Sequence, residues 1–376
     1  MTGPQLSRWI AQLLPHRAAL DTDVRLALLI AFWAVARASE EFQPMDRYTD
    51  EMLGLLEVCP HKVLHSAFWH FTAWDSADLA EAAAAWERSI ACTRVAREAP
   101  GLGSEFGVAS DRDFILGNHL WVYADRLMEY GEFARAAPLL MERARISEAR
   151  GSRFEMAESL GPLGRLALLQ GDLPKARTLL YEAVTLAREF NYQEMLANSQ
   201  PLLALVTLYG GDAPEARRLL DASLRLCLDL NDRFLLARVC TDLAETALWA
   251  GELAEAEQWL AQSLAYHADS RRSRIFQIER LLVAARLATA QAAYLRAAAL
   301  FGLAERIRSQ LRYEPVGPVR LLADAALATV RTALDPALFA EAFTAGQQLS
   351  LEEAFATISA SSSGTGAPPR LSQPSA

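Results

Sequence analysis

The sequence is poor in cysteine. Its four cysteines, Cys59, Cys92, Cys227 and Cys240, are widely separated, and none belongs to a CxxC pair. Such spacing argues against a disulfide framework and is typical of small buried thiols in a reducing compartment. We therefore expect a cytoplasmic protein.

A long apolar run is also missing. The most apolar stretch, residues 26–36 (LALLIAFWAVA), has eleven residues, whereas a membrane-spanning helix needs about twenty. Asp21 and Asp23 precede this stretch, at the place where a signal peptide would carry basic residues. The stretch predicts a buried helix, and we expect no membrane partner.

An excess of positive charge, which nucleic-acid binding requires, is absent as well. Lys and Arg number 37 against 46 Asp and Glu, so the net charge is −9 and the pI is about 5.3. A chain with this balance lacks the cationic face that attracts a phosphate backbone, and we expect no direct nucleic-acid partner. The basic run at residues 271–274 lies where a helix should begin, and we interpret it as a solvated helix start.

Motifs for catalysis and for cofactor binding are not found. The chain has no GxxxxGK[ST] phosphate loop, and the glycines at 101, 103 and 107 do not have the GxGxxG spacing. His61 and His65 are four residues apart, which places two metal ligands on one helix face, but His70 falls on the opposite side and no acidic third ligand follows. We expect a non-catalytic protein with no cofactor and no metal.

What the sequence does contain is a forty-residue repeat. Segments that begin at Gly131, Gly171, Gly211 and Gly251 share the pattern Gly-acidic-x-x-x-Ala, and a degenerate copy begins at Ala292. Glycine adopts the left-handed conformation that ends a helix without a side-chain clash. The acidic residue beside it favours the start of the next helix. Each segment therefore predicts a tight turn between two helices.

Small residues recur at two fixed offsets from these turns, where facing helices must approach closely. Five residues after each turn residue comes an alanine, and seven residues before it comes an alanine or a glycine; the two sets are Ala136, Ala176, Ala216, Ala256 and Ala297, and Ala124, Gly164, Ala204, Ala244 and Ala285. The pattern resembles tetratricopeptide repeats, lengthened from their usual period of about 34 residues. The resemblance implies an all-α fold, a superhelical array (solenoid) of antiparallel helix pairs.

The repeat spacing also predicts the helix bounds. We expect pairs near 113–130 and 132–150, 153–170 and 173–190, 193–210 and 213–230, 233–250 and 253–268, and 274–290 and 293–312. Ser152, Asp232 and Ser273 are residue types that favour helix starts. Pro162 and Pro201 fall inside predicted helices, and we expect them to kink these helices or to delay their start.

The regular array has different sequence on both sides. We expect irregular helical repeats that form an N-terminal cap at 1–110, with an inserted loop at 99–111, and the regular repeats at 112–312. Capping helices should follow at 313–358. The last residues, 359–376, are rich in Ser, Gly and Pro and predict a disordered tail.

Two segments after the last repeat carry a more specific signature. Residues 299–305 (ALFGLAE) and 338–354 (LFAEAFTAGQQLSLEEA) resemble the end of the tetratricopeptide-type sensor region in bacterial MalT/LuxR-like signal-transduction ATPases, which are transcriptional regulators. Those regulators place a P-loop ATPase before the repeats and often a helix-turn-helix domain after them. Since neither motif occurs here, the resemblance implies a sensor without these parts, whose partners would include a separate ATPase or DNA-binding protein.

Polar residues interrupt the apolar first helix of each pair in two rows, thirteen and six residues before the turn. Because the rows are seven residues apart, they share one helix face. The resemblance to tetratricopeptide repeats implies that this face is the concave groove, where peptides or small ligands bind. With the positions beside the rows, the candidate groove residues are Asn118, Trp121, Asp125, Glu158, Arg165, Asn198, Arg238, Thr241, Asp242, Glu245, Glu279 and Arg286.

Two interpretations of these polar rows stay open. They form Glu–Arg pairs between neighbouring repeats, worth about 0–1 kcal/mol each, or they line a ligand groove. The function has two candidates as well. One is the sensor of a regulator that binds a protein or a small effector, and the other is a general protein–protein interaction scaffold that senses nothing.

Overall fold

The computed structural model describes residues 9–38 except 11, 46–96 except 77, 111–266, 274–311, 313, 315, 317–354 and 356. These residues form helices joined by short connections, and no strand occurs among them. The predicted all-α fold is confirmed. Within the described ranges, no helix is both long enough and apolar enough to cross a membrane.

A short 3-10 helix (Leu14–Ala19) precedes the α-helices. In chain order the α-helices are α1 (Thr22–Ala38), α2 (Asp46–Val58), α3 (Lys62–Asp75), α4 (Leu79–Val95), α5 (Arg112–Glu129), α6 (Phe133–Ala149), α7 (Arg153–Leu169), α8 (Leu173–Glu189), α9 (Gln193–Tyr209), α10 (Ala213–Asp229), α11 (Arg233–Ala250), α12 (Leu253–Ala265), α13 (Arg274–Ala290), α14 (Tyr294–Leu311), α15 (Gly317–Ala333) and α16 (Pro336–Gln348). From α5 to α14 their bounds follow the forty-residue spacing of the sequence.

Internal contacts divide the chain into two compact units, Met1–Asp125 and Arg126–Ala376. The division falls inside α5, whereas the sequence spacing places the start of the regular repeats at 112. The domain bounds drawn from the repeat spacing stay a prediction. Residues 99–110 of the predicted loop, the predicted tail at 359–376 and the predicted helix start Ser273 lie outside the described residues.

The first unit has a large aromatic core. Helix α3 packs on α4, and α1 packs on both α2 and α3. Trp33, Met52 and Phe68 are each at most 4% exposed in this core. The Trp33 indole Nε1 donates a hydrogen bond of 2.6 Å to the Asp75 carboxylate. The large side chains of this core contrast with the alanine-rich contacts of the repeats that follow.

The second unit contains the regular array. Helices α7 and α8, α9 and α10, α11 and α12, and α13 and α14 form antiparallel pairs across the predicted turns, and each pair packs on the next. The first helices of these pairs, α7, α9, α11 and α13, also contact one another in that order. They therefore make up one continuous face of the array.

The predicted turns take the left-handed conformation. Gly131, Gly171, Gly211 and Gly251 have φ angles of 74°, 78°, 95° and 78°, and Ala292 in the degenerate copy has φ 56°. Asp172 and Asp212 then cap the next helix by accepting hydrogen bonds of 3.1 Å from the backbone N–H groups of Lys175 and Glu215. Glu132 and Glu252, the acidic residues of the other two copies, make no such side-chain bond. The pattern thus specifies the end of one helix in all four copies, and a capped start of the next helix in the two copies with aspartate.

The turns that join one repeat to the next follow the same spacing, which the sequence analysis missed. Gly151, Asn191 and Asn231 are forty residues apart and have φ angles of 62°, 51° and 52°. Asparagine is one of the few residues with a side chain that tolerates this conformation. A search for Gly or Asn at a fixed period would have found these turns.

The recurring small residues allow the close approach that was predicted. All five alanines that follow the turns are completely buried. On the facing helix, a Cβ atom at Gly164 would lie 2.6 Å from Leu180 Cγ, closer than atoms can pack. The pairing of α7 with α8 therefore requires a glycine at this position.

Prolines inside two helices do not delay the helix starts. Helix α7 begins at Arg153 and runs through Pro162, and α9 begins at Gln193 and runs through Pro201. The expected later start is wrong. At Pro162 the reason is visible: proline lacks the N–H that would bond the carbonyl of Glu158, and Arg143 Nη1 donates to that carbonyl at 3.0 Å instead.

The signature segments after the last repeat pack on each other. Helix α14, which carries ALFGLAE, lies against α16. A Cβ atom at Gly302 would collide with the backbone carbonyl of Phe343, and one at Gly346 would collide with that of Ala299. The two helices thus cross at a pair of glycines, which gives both signature glycines a packing role.

The connection between α14 and α15 returns to the beginning of the array. A Cβ atom at Gly131 would lie 3.5 Å from Tyr313 Cα, and one at Gly317 would lie 3.0 Å from Gly171 Cα. The rings of Tyr313 and Phe133 meet edge to face at 6.2 Å between centroids. Tyr313 and Gly317 therefore contact the turns of repeats that are far away in sequence.

Candidate functional site

A cleft lies on the face formed by the first helices of the repeats. It encloses about 970 Å³, counting the part that is open to solvent. Its wall comprises Arg165, Leu168 and Leu169 of α7, Leu202, Leu205 and Tyr209 of α9, Arg238, Thr241, Asp242 and Glu245 of α11, Phe276, Glu279, Leu282, Val283 and Arg286 of α13, Tyr313 of the returning connection, and Pro318 and Val319 at the start of α15. All of these residues belong to the second unit.

The cleft brings together more than half of the candidate groove residues. The seven that line it are Arg165, Arg238, Thr241, Asp242, Glu245, Glu279 and Arg286. They come from three repeats, so the spacing rule places them on a common face as expected. Their role in binding stays a prediction.

The other candidate residues lie elsewhere. Glu158 pairs with Arg143 at 3.0 Å and accepts a hydrogen bond of 3.2 Å from the Tyr192 hydroxyl. Asn198 is exposed, and its side-chain amide donates to the carbonyl of Glu194 within its own helix. Asn118, Trp121 and Asp125 belong to the first unit, and their placement in a groove also stays a prediction.

Two of the cleft arginines are held by carboxylates of the neighbouring repeat. Arg286 Nη1 donates to both carboxylate oxygens of Glu245, at 2.7 and 2.6 Å. Arg165 Nη2 donates to Glu129 Oε1 at 2.8 Å. These are Glu–Arg pairs between neighbouring repeats, as the first interpretation of the polar rows expects. Because they are buried, loss of one partner would leave a desolvated charge behind.

Three other charged side chains of the cleft have no such partner. Asp242 is 8% exposed, and no donor among the described residues lies within hydrogen-bond distance of its Oδ2 atom. Arg238 and Glu279 are half-buried and form no hydrogen bond or ion pair within the described part of the chain. A buried carboxylate without a donor is unfavourable in a stable fold, and this site therefore has unsatisfied binding capacity.

Electrostatics agree with this geometry. Burial raises the pKa of the Asp242 carboxyl well above its ordinary value; the nearby Arg238 guanidinium opposes the rise, whereas Glu279 and Glu245 add to it. Burial likewise raises the pKa of Glu279, against the influence of Arg238 and Arg165. Arg238 thus acts on both carboxyl groups, which places the three side chains in one electrostatic cluster.

The remainder of the wall is apolar or aromatic. Leu202, Leu282 and Val283 are each at most 8% exposed, and Phe276 is 5% exposed. Burial raises the pKa of the Tyr209 hydroxyl well above its ordinary value, so that hydroxyl remains a neutral hydrogen-bond donor. A few charged groups on an apolar wall are the usual composition of a small-ligand site.

Sequence reasoning missed several apolar and aromatic residues of the cleft. Leu169 lies two residues before Gly171, and Tyr209 lies two residues before Gly211. This position follows the second polar row by four residues, so it lies on the same helix face. Extending the rows by four residues would have found them. Tyr313, Pro318 and Val319 had no such signal, because they follow the last repeat and reach the cleft only through the returning connection.

A buried cluster of hydroxyl groups and histidine lies in the first unit. His119 Nδ1 is 3.0 Å from Ser89 Oγ, 3.2 Å from Thr93 Oγ1 and 3.3 Å from Ser66 Oγ. The His119 ring stacks on His70 at 4.4 Å, and burial lowers its pKa well below the ordinary value. Because all three hydroxyl-bearing residues are at most 2% exposed, a substrate cannot reach this serine–histidine contact, and we interpret it as a structural network.

The histidines considered as metal ligands have other partners. His61 Nε2 lies 3.0 Å from Asp23 Oδ2, and His65 Nε2 lies 2.8 Å from the carbonyl of Cys59. In the part of the chain that the structure describes, no group of three His, Cys, Asp or Glu residues could hold a metal ion.

The chain was compared with known proteins in three ways. No protein-family model matches it, and no curated protein matches it either. Among solved structures, Rap protein complexed with competence and sporulation factor is similar with a TM-score of 0.48 and 12% identity, over 91% of this chain and 100% of that chain. BtubC from P. vanneervenii has a TM-score of 0.44 and 18% identity, over 65% and 96% of the two chains.

A third similar structure is a putative kinesin light chain from P. anserina with nearly identical TPR-like repeats. Its TM-score is 0.39 and its identity 19%, over 56% of this chain and 95% of that chain. The helix pairs, their turns at a forty-residue period and their alanine contacts define this chain as a tetratricopeptide-like helical-repeat protein.

Proposed function

We propose that this chain is a non-catalytic binding protein that holds a ligand in the cleft between α7, α9, α11, α13, Tyr313 and the start of α15. The observation that carries the proposal is the Asp242 carboxyl group, which is buried in the cleft wall and whose Oδ2 atom has no donor among the described residues. Most buried polar groups in native folds are satisfied, so an unsatisfied one in a cleft wall favours a binding role. A ligand that donates to Asp242 would supply the missing hydrogen bond.

The finer proposal is that the ligand is an effector and that the chain is the sensor part of a regulator. It is supported by the likeness of residues 299–305 and 338–354 to the sensor region of MalT/LuxR-like regulators. A general interaction scaffold is the alternative. The two differ in one measurable respect, because a scaffold has no reason to gain stability from a small compound.

Thermal unfolding in the presence of a library of small metabolites tests both proposals. A ligand that binds only the folded chain stabilises it by about 2.7 kcal/mol at a hundred times its dissociation constant. We expect at least one compound to raise the unfolding temperature. If no compound does so, the sensor proposal is wrong and the scaffold is favoured.

A steric variant then locates the binding site, whatever the chemistry of the compound. Leu205 is half-buried and lines the cleft, so Leu205→Trp should fill the cleft and abolish the stabilisation. Leu228→Trp is the matched control, since Leu228 is 37% exposed on α10, outside the cleft. Equal stabilisation of both variants would place the binding site elsewhere.

A further inference from the structure

The charges that line the cleft do not balance. Arg286 with Glu245 and Arg165 with Glu129 are neutral pairs joined by hydrogen bonds. Among the other described charged residues of the wall, one cation, Arg238, faces two carboxylates, Asp242 and Glu279. Ionisation of both carboxyl groups would leave the wall with one uncompensated negative charge, which burial opposes by raising the pKa of each group and which a bound cation would offset. Asp242 Oδ2 also has no hydrogen-bond donor among the described residues.

We infer that the cleft binds a cationic amine with an apolar body, whose ammonium group donates to Asp242 and Glu279. This inference rests on the proposed binding function of the same cleft. An ammonium group carries one positive charge and three donors and no acceptor, which matches a site with an excess carboxylate and an unsatisfied acceptor. The apolar body contacts Leu202, Phe276 and Leu282.

An anionic ligand fits the same wall less well. Its charge would have to meet Arg238, which is the cation of the cleft without an ion-pair partner among the described residues. Asp242 and Glu279 lie close enough to Arg238 for the guanidinium to influence both of them. An anion at Arg238 would therefore face two carboxylates, and Asp242 Oδ2 would still have no donor.

The experiment compares three probes that share one apolar body. The probes are phenethylamine, which presents a cation, 2-phenylethanol, which presents a neutral hydroxyl, and 3-phenylpropionate, which presents an anion. Binding to the full chain is measured by calorimetry at neutral pH. We expect phenethylamine to bind about tenfold more tightly than the other two, which corresponds to one charged hydrogen bond.

Variants assign the contact. Asp242→Asn and Glu279→Gln should each weaken phenethylamine binding about tenfold or more. Arg218→Ala is the control, because Arg218 is exposed and pairs with Glu215 on the surface of α10. Circular dichroism verifies that every variant keeps its helices. Arg238→Ala would abolish the binding of an anion, because it removes the cation that an anionic ligand would have to meet.

The outcomes separate the inference from the proposed function. If 3-phenylpropionate binds more tightly than phenethylamine and Arg238→Ala abolishes that binding, the inference of an amine ligand is overturned, but the cleft remains a binding site. Equal binding of the amine and the alcohol also overturns the inference. If no probe binds and no compound of the metabolite library stabilises the chain, both the inference and the sensor proposal fail.

A free amine and the amino terminus of a peptide share this chemistry. A short peptide that begins with phenylalanine, with its amino terminus either free or acetylated, separates the two sources. Tighter binding of the free peptide than of phenethylamine, with loss on acetylation, identifies a peptide terminus. Tighter binding of phenethylamine identifies a small amine.

Discussion

At the scale of single residues, the cleft contains two kinds of charged side chain. Glu245 and Arg286 satisfy each other through hydrogen bonds between neighbouring repeats. Asp242 is buried in the same wall without a donor for Oδ2 among the described residues. The pairing interpretation of the polar rows therefore applies to Glu245 and Arg286, whereas the ligand-groove interpretation stays a proposal that Asp242 motivates.

The pH dependence of stability tests the state of Asp242. In the unfolded chain Asp242 loses its proton near the ordinary value of 3.8, whereas burial raises the pKa of the folded carboxyl well above it, with Arg238, Glu279 and Glu245 as its charged neighbours. As pH rises above 3.8, the folded state thus binds more protons than the unfolded state, and its stability falls. Asn at this position does not titrate.

We therefore expect the native chain to lose stability relative to Asp242→Asn as the pH rises from 4 to 8. Urea unfolding of both chains at several pH values measures the difference in the free energy of unfolding. A difference that does not change with pH would show that Asp242 is well solvated or paired in the folded chain.

At the scale of elements, the turns set the geometry of the array. Four turns place glycine in the left-handed conformation, but the fifth places Ala292 there. A residue with a Cβ atom is strained in this conformation by roughly 1–2 kcal/mol. The degenerate fifth copy keeps the turn because the helices on both sides, α13 and α14, pack on each other.

A reciprocal pair of substitutions tests this account. Ala292→Gly should increase the free energy of unfolding by about 1 kcal/mol, because it removes the Cβ strain. Gly251→Ala, at the equivalent turn with φ 78°, should decrease it by a similar amount. Denaturant unfolding measures both. A loss of stability in Ala292→Gly would mean that the alanine side chain packs better than its strain costs.

At the scale of the whole second unit, the connection after α14 completes the cleft. Tyr313 is 3% exposed, contacts the Gly131 turn and the Phe133 ring, and lines the cleft. The returning connection thus links the last repeat to the first turns of the unit. It contributes one wall of the cleft.

Removal of the Tyr313 ring should therefore affect stability and binding together. Tyr313→Ala is expected to cost about 3 kcal/mol, as is usual when a large buried ring is lost, and to weaken the binding of any cleft ligand. Tyr181→Ala is the control, since Tyr181 is 66% exposed on α8 and surface changes are usually worth less than about 0.5 kcal/mol. Unfolding and ligand titration of both variants measure the effects. Unchanged binding in Tyr313→Ala would remove the connection from the site.

The accuracy of the sequence-based predictions differed between local and distant features. Helix bounds followed from the turns, because a left-handed glycine and the acidic residue after it specify a helix end and a helix start within a few residues. The expectation that Pro162 delays the start of α7 was wrong, and the Glu158 carbonyl that Pro162 cannot bond accepts a hydrogen bond from Arg143, a side chain on another helix. The Gly151, Asn191 and Asn231 turns carried a local signal that was overlooked.

The sequence by itself determined the repeat, its all-α fold and the helix face that carries the polar rows, because these depend on interactions between residues close in the chain and on a fixed period. Only the tertiary structure decided which polar residues are paired and which are not, since pairing depends on distances between different repeats. It also decided that Tyr313, Pro318 and Val319 join the cleft. Nothing in the local pattern of a connection states where it will pack, and that contact added a wall to the candidate binding site.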